Sequence, residues 1–458
     1  MLTRDDGSMA SSTYHFPFDG LGTSFRCSAC GEYHTVHLRY VDCSSDCLQS
    51  LPRQVALCVR DRELVLLADT RTYDIVGREA IRALDGGGYK THCVILPDPS
   101  PGGSPVCDDQ TLAWIKGQVL KCPFVLAAGS GVLNDLAKWL ALDWNVPYGV
   151  VATAPSMNGY ASDNIAPTVK GVKTLITGRG PLFVLARPKD LANAPAPMIA
   201  AGLGDFIAKS VSALDWRMNH IVFNEFYCAY CVELIQHVED RLLAHPEMLK
   251  QREVSAVRML FEGLLLAGIG MSMAGTSAPA SGGEHLISHT LDMKALADGR
   301  PHDLHGRQVG VGTIVAAVLY DQVFSEGTPW PDPCGTIPAF SPIYWGTLAE
   351  AVRPYAEKKR RKAERAVARL TEGRERRQNL RDTLTPLRRD PYAIKAVLKD
   401  AGAAHTLDDI GVDHEAFNAV LLHAHEIRER FTIIDLAWLT GVGVNPAVIN
   451  AWLRSEMP

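Results

Sequence analysis

From residue 62 onward, short apolar runs alternate with amphipathic stretches. "RELVLLADT" is a predicted strand closing on Asp69, "REAIRAL" reads as helix, and "HCVILPDP" as a second strand. A helical stretch around "QTLAWIKGQVL" precedes "CPFVLAAGSGVLNDLAKWLALDW", and "VPYGVVATAPS" supplies another strand. Strand and helix in alternation predict a Rossmann-like open parallel α/β sheet covered by helices, over residues 61–189. Beyond it the pattern turns helical. "PMIAAGLGDFIAKSVSALDWRM", "NEFYCAYCVELIQHVEDRLLAH", "REVSAVRMLFEGLLLAGIGMSM", "GGEHLISHTLDMKAL" and "HGRQVGVGTIVAAVLYDQVF" follow with no convincing strand, predicting an all-helical domain over 190–458. The stretch 357–382 carries eleven Lys or Arg against five acids, which predicts a solvated surface helix. "AFNAVLLHAHEIRERFTIIDLAWLTG" is a last helical segment, with Gly441 as its C-terminal cap.

Composition narrows the class. A chain of 458 residues is long enough for two or three cores. A net charge of −5 argues against a general nucleic-acid binder. Eleven cysteines, an odd number in a long chain, do not suggest a secreted disulfide scaffold. The opening residues lack an apolar signal segment, and apolar runs such as 262–269 look too short and mixed for a bilayer, so the expected location is the cytoplasm.

Residues 1–60 read as an extension with a module of its own. Cys27 and Cys30 flank a tight turn, and Cys43 and Cys47 follow, so the four thiolates predict a structural zinc site. His34 and His37 are rival ligands, and the alternative is a set of reduced thiols in a β-rich extension.

Two stretches carry candidate chemistry. In "FVLAAGSGVLNDLAKWLA", Gly129 and Gly131 allow close backbone approach where a helix begins, which suits a diphosphate. The spacing is neither G-x-G-x-x-G nor a Walker loop, and Asn134, Asp135 and Lys138 fit an ordinary first-turn polar set equally well. Asp69 at a strand end can accept hydrogen bonds from a ribose, or serve only as a turn residue. The second stretch is histidine-rich. His285 and His289 share one helix face, His305 opens another helix, and His302 lies just before it. Core-facing histidines remain an alternative. Two imidazoles binding a divalent ion usually need an anionic third ligand, and Asp205, an acid in an apolar small-residue helix, is the candidate.

Taken in order, "ADTRTYDIVG", "GSGVLNDLAKWLA", "TAPSMNGYASDN", "GLGDFIAKS", "SGGEHLISH" and "LHGRQVGVGT" resemble the sn-glycerol-1-phosphate dehydrogenase family. That family is a branch of the superfamily holding iron-type alcohol dehydrogenases, glycerol dehydrogenase and dehydroquinate synthase. The likeness spans roughly residues 55–445 and implies a dehydroquinate synthase-like fold. It implies a zinc, nickel or iron ion on Asp205, His285 and His305, with His289 near substrate. It also implies NAD or NADP on Asp69, Gly129, Ser130, Gly131 and Asp135, with Thr153, Ser156, Ser162 and Lys170 lining the cleft. Lys170, Lys173 and Arg307 are candidates for a substrate phosphate. Where the family usually has S-M-D-G-Y, this chain has Asn158, which exchanges an acceptor-only carboxylate for an amide that also donates.

The implied activity is hydride transfer between NAD(P)H and dihydroxyacetone phosphate, giving sn-glycerol 1-phosphate, in a homo-oligomer without nucleic-acid or membrane partners. Asn158 keeps open a related dehydrogenase for another polyol or sugar phosphate. A dehydroquinate-synthase-like lyase and a non-catalytic cleft protein are more distant alternatives.

Overall fold

A computed structural model describes residues 14–100, 103–325 and 335–455. Six parallel strands form the central sheet: β1 (Tyr40–Asp42), β2 (Glu63–Asp69), β3 (Lys90–Leu96), β4 (Val125–Gly129), β5 (Tyr148–Ala152) and β6 (Phe183–Ala186). Their order is β1-β6-β5-β4-β2-β3. After β3 the chain crosses back past β2, so the sheet reverses its winding between β2 and β4. In open parallel sheets ligands bind in the crevice at such a reversal, beyond the strands' carboxyl ends.

The continuous apolar runs are explained by burial on both faces. Val65, Leu67, Val125 and Val150 enter the large core that continues into the helices. Leu64, Leu66, Leu126 and Val151 enter a smaller core closed by Leu51, Val55 and Leu84. Helix α1 (Gly131–Trp144) follows β4 directly. Two short antiparallel pairs, Asn164–Ile165 with Ile176–Thr177 and Thr168–Val169 with Val172–Lys173, were not expected from the sequence.

Among the described residues no strand follows β6. The helices that build the site are α2 (Ala196–Ile207), α3 (Lys209–Phe223), α4 (Val254–Ala274), α5 (Gly283–Ala297) and α6 (His305–Phe324). Helix α4 is longer and more continuously apolar than the run 262–269 suggested, enough by length and composition to cross a membrane. Its Phe261, Leu264, Leu265 and Ile269 are nonetheless packed in the protein core. The expected final helix is broken: the last turn of His414–His423 tightens, residues 428–432 carry no helix, and α8 (Ile433–Leu439) starts anew, packed beside α7 (Ala349–Glu372). Gly441 takes a left-handed φ of 76° just after α8.

Two expectations are corrected. Cys43 and Cys47 do not gather with Cys27 and Cys30: the ligand atoms near Cys27 and Cys30 come from His34 and Cys228, and Cys43 and Cys47 themselves fall in different cores. The basic run 357–382 is not wholly solvated: α7 buries Lys359 and Lys362, and Gly373 breaks the helix. Lys359 Nζ reaches Asp435 Oδ2 at 2.7 Å, and Lys362 reaches Glu225 at 2.6 Å.

Candidate active site

Three glycines let two helices and a loop meet closely enough to assemble the site. A Cβ at Gly204 of α2 would stand 2.0 Å from the carbonyl oxygen of Gly306, and one at Gly306 would stand 1.9 Å from that of Ala201. Gly202 is equally tight, with the Pro155 carbonyl oxygen 1.7 Å from its ideal Cβ position. These near-contacts carry Asp205 on α2 alongside His305 at the start of α6.

The ligand atoms of Asp205, His285 and His305 lie within 4.8 Å of one another. His285 Nε2 stands 3.3 Å from Asp205 Oδ1. The two are not aligned as a hydrogen bond, and Oδ1 is buried without a hydrogen-bond partner. The other oxygen, Oδ2, accepts from the backbone N–H of Asn158 at 2.7 Å. His285 Nδ1 meets Glu284 Oε1 at 2.8 Å, and His305 Nδ1 meets the Ser288 hydroxyl at 3.0 Å. Both rings are therefore held through Nδ1, leaving Nε2 for the cluster. An orphaned buried carboxylate oxygen beside two oriented imidazoles suits a divalent cation, and second partners of this kind fix ring orientation at metal sites.

The acids around the cluster favour positive charge there. Burial opposes the charged form of His285, but Asp205 and Glu284 outweigh it and raise its pKa to about 9. His305 is lowered to about 4 by burial and by the neighbouring His285. The ring of His289 stacks on His305 with centroids 5.1 Å apart and planes 14° apart. Burial, then the fields of His305, Arg428, His285 and Lys173, hold His289 well below the ordinary range, so it is neutral at neutral pH. Its Nδ1 and the Asn158 amide nitrogen are both buried without partners.

The nucleotide-type features gather at the sheet reversal. Gly129 ends β4, Ser130 is the N-cap of α1, and Thr153 donates its backbone N–H to the Gly129 carbonyl at 3.2 Å. Met157 covers the turn, its sulfur 3.0 Å from where a Gly131 Cβ would be, and Ser156 precedes it on the same loop. Asp69 closes the adjacent strand β2, where its carboxylate caps the following turn through Thr72 N at 2.8 Å and pairs with Arg71 at 3.0 Å.

Other expected site residues have local structural partners. Asp135 accepts from Ala166 N at 3.2 Å, and Ser162 Oγ donates to the Gly159 carbonyl at 3.2 Å. Lys138, buried in α1, donates to the carbonyls of Gly159 and Asn164 at 2.9 and 2.8 Å, fastening the loop that bears Asn158. Lys170 is exposed in a tight turn with φ 50°. Arg307 is committed to Asp303 at 2.7 Å. His302 pairs with Asp292 at 3.1 Å. Sequence reasoning missed Glu284, Ser288 and Arg428. An acid immediately before His285 was the available signal for Glu284. The other two become visible only when α5, α6 and the 428–432 segment are brought together.

A family model described as iron-containing alcohol dehydrogenase matches residues 45–195. The glycerol-1-phosphate dehydrogenase (NAD(P)+) of Geobacillus stearothermophilus is 28% identical over 381 residues, covering 82% of this chain and 86% of its own length. That of Bacillus subtilis (strain 168) is 26% identical over 391 residues, covering 85% and 87%. The crystal structure of glycerol dehydrogenase from Schizosaccharomyces pombe superposes with a TM-score of 0.60 at 15% identity, covering 96% of this chain and 97% of that one. This last is a likeness of fold.

Proposed function

We propose that the chain is a glycerol-1-phosphate dehydrogenase of the iron-containing alcohol dehydrogenase type, which transfers hydride between NAD(P)H and dihydroxyacetone phosphate to form sn-glycerol 1-phosphate. The observation that carries the proposal is the convergence of Asp205, His285 and His305, with an orphaned carboxylate oxygen among them, beside the loop whose Met157 covers the glycine turn. In this reading residues 61–189 bind the nucleotide and 190–458 bind metal and substrate, in a cytoplasmic homo-oligomer.

Asp205, His285 and His305 would hold a zinc, nickel or iron ion, which when bound would supply Lewis-acid polarisation of the substrate carbonyl. Gly129, Ser130 and Gly131 offer backbone N–H groups at the start of α1 to the cofactor diphosphate. Asp69 faces the ribose, Thr153 and Ser156 line the cleft, and Asp135, Ser162 and Lys170 shape it through the loop they support or adjoin. Neutral His289 hydrogen-bonds a substrate hydroxyl and relays its proton, while the unpartnered Asn158 amide donates to substrate oxygen. Lys173 and Arg428, whose charges both depress His289, supply the cationic wall for the phosphate.

The test is metal-loaded enzyme with NADH or NADPH, comparing dihydroxyacetone phosphate with dihydroxyacetone. Cofactor oxidation that needs the phosphate, with a KM raised by Lys173→Ala and by Arg428→Ala, supports the reading. No oxidation with either cofactor overturns it. Asn158 favours a second reading, a dehydrogenase for another polyol or sugar phosphate, which a substrate panel on the native enzyme and the Asn158→Asp variant distinguishes.

A further inference from the structure

The N-terminal cysteines meet a partner from the other end of the fold. Cys27 and Cys30 lie on the turn of a hairpin that pairs Ser24–Arg26 with Tyr33–Thr35, and Gly31, with φ 78°, reverses the chain immediately after Cys30. His34 projects from the second strand, and Cys228 comes from the segment after α3. Ligand atoms of these four residues lie within 4.8 Å of one another. Cys27 Sγ is 3.7 Å from Cys228 Sγ, and His34 Nε2 is 3.4 Å from both Cys30 Sγ and Cys228 Sγ.

We propose that Cys27, Cys30, His34 and Cys228 form a structural zinc site that fastens the N-terminal hairpin to the helical half of the chain. Geometry carries the assignment. Donors at ~2.3 Å (sulfur) and ~2.0 Å (nitrogen) from one tetrahedral ion stand ~3.8 Å apart for two sulfurs and ~3.5 Å for sulfur and nitrogen. The three measured separations fall on those edges, and the sulfurs are too far apart for a disulfide.

The surroundings are built for an ion. His34 Nδ1 lies 2.8 Å from the Met273 carbonyl oxygen, which can only accept, so Nδ1 carries the proton and Nε2 presents its lone pair to the sulfurs. Cys27, His34 and Cys228 are all buried, and Phe25 and Tyr230 pack edge-on around the cluster. Cys228 heads a second C-x2-C turn ending at Cys231, so two such turns face each other across the cluster.

The site shares no residue with Asp205, His285 and His305, so its fate is independent of the proposed activity. It does adjoin the loop bearing Asn158. Ser272, beside Met273, accepts from Asp163 N at 3.0 Å and donates to the Ala161 carbonyl at 3.2 Å.

The test is the full-length chain carrying Asp205→Ala and His285→Ala, purified with zinc and examined at the zinc absorption edge. The expected result is one zinc per chain with three sulfurs and one nitrogen, and loss of that zinc when Cys27→Ser and Cys228→Ser are added. Cobalt in its place should give a thiolate charge-transfer band that the same serine changes abolish. A zinc shell without sulfur, or a Cys27–Cys228 disulfide in the native chain, overturns the site. A four-sulfur shell moves the fourth position to Cys231 and overturns the role of His34. The spectroscopy on the variant with native cysteines decides the matter even if the serine variants fail to fold.

Discussion

Glu284 holds the ring of the residue that follows it, its Oε1 lying 2.8 Å from His285 Nδ1 while also accepting the Gly282 N–H at 2.6 Å. Replacing Glu284 by Gln removes the negative charge and leaves an oxygen that must still serve both donors. Metal affinity should fall ~10–100-fold, as for other outer-shell partners of metal-binding histidines. Chelator competition on folded protein measures this. An unchanged affinity would mean that Glu284 serves only the turn before α5.

Gly204→Ala and Gly306→Ala should separate α2 from α6, because each new methyl meets a carbonyl oxygen of the facing backbone at 2.0 or 1.9 Å. Overpacking of this kind typically costs ~1–3 kcal/mol. Here it should also weaken metal binding, since Asp205 and His305 ride on the displaced helices. Gly117→Ala is the control: nothing lies within 4 Å of its Cβ position, and denaturant midpoints should stay level or rise.

Asn158→Asp should tighten the divalent ion and weaken the metal-free fold. The backbone N–H of Asn158 already binds Asp205, so a side-chain carboxylate would join a cluster containing another acid. We expect affinity to rise on the order of tenfold, ~1.4 kcal/mol. The gap in Tm between zinc-loaded and metal-free protein should widen. A gap that narrows would place the side chain away from the ion.

Lys359→Met should destabilise the chain by ~3–5 kcal/mol by leaving the fully buried Asp435 unpaired. Asp435 also accepts from Thr432 N at 2.7 Å, so the loss should reach α8 and the residues before it. Adding Asp435→Asn should recover part of the urea midpoint, because the stranded charge is gone.

Much of this was legible in sequence because periodicity reports local burial. Residues 64–68 of β2 and the whole β4 run are apolar at every position, as strands covered on both faces must be. His285 and His305 were readable because a helix face and a helix start are local properties. Long-range partners were not. Cys43 and Cys47 are the sequence-near companions of Cys27 and Cys30, whereas Cys228 reaches Cys27 because the hairpin and the helix after Cys228 both pack on α4. The basic run of α7 misled for a related reason: charge composition cannot reveal that Lys359 has a buried acid awaiting it on α8. Asp69, Asp135 and Ser162 were singled out by position, and their side chains prove to be engaged in caps and turns as well.

Strand β1 precedes every other strand of the sheet but hydrogen-bonds to β6, the last one made. A chain emerging from the ribosome must therefore carry residues 40–42 unpaired until Ala186 has been synthesised, while the five later strands arrive in the order that lets each find a neighbour. The outermost seam of the sheet closes last, and a pause in translation before β6 would leave the hairpin with its cysteines attached to nothing.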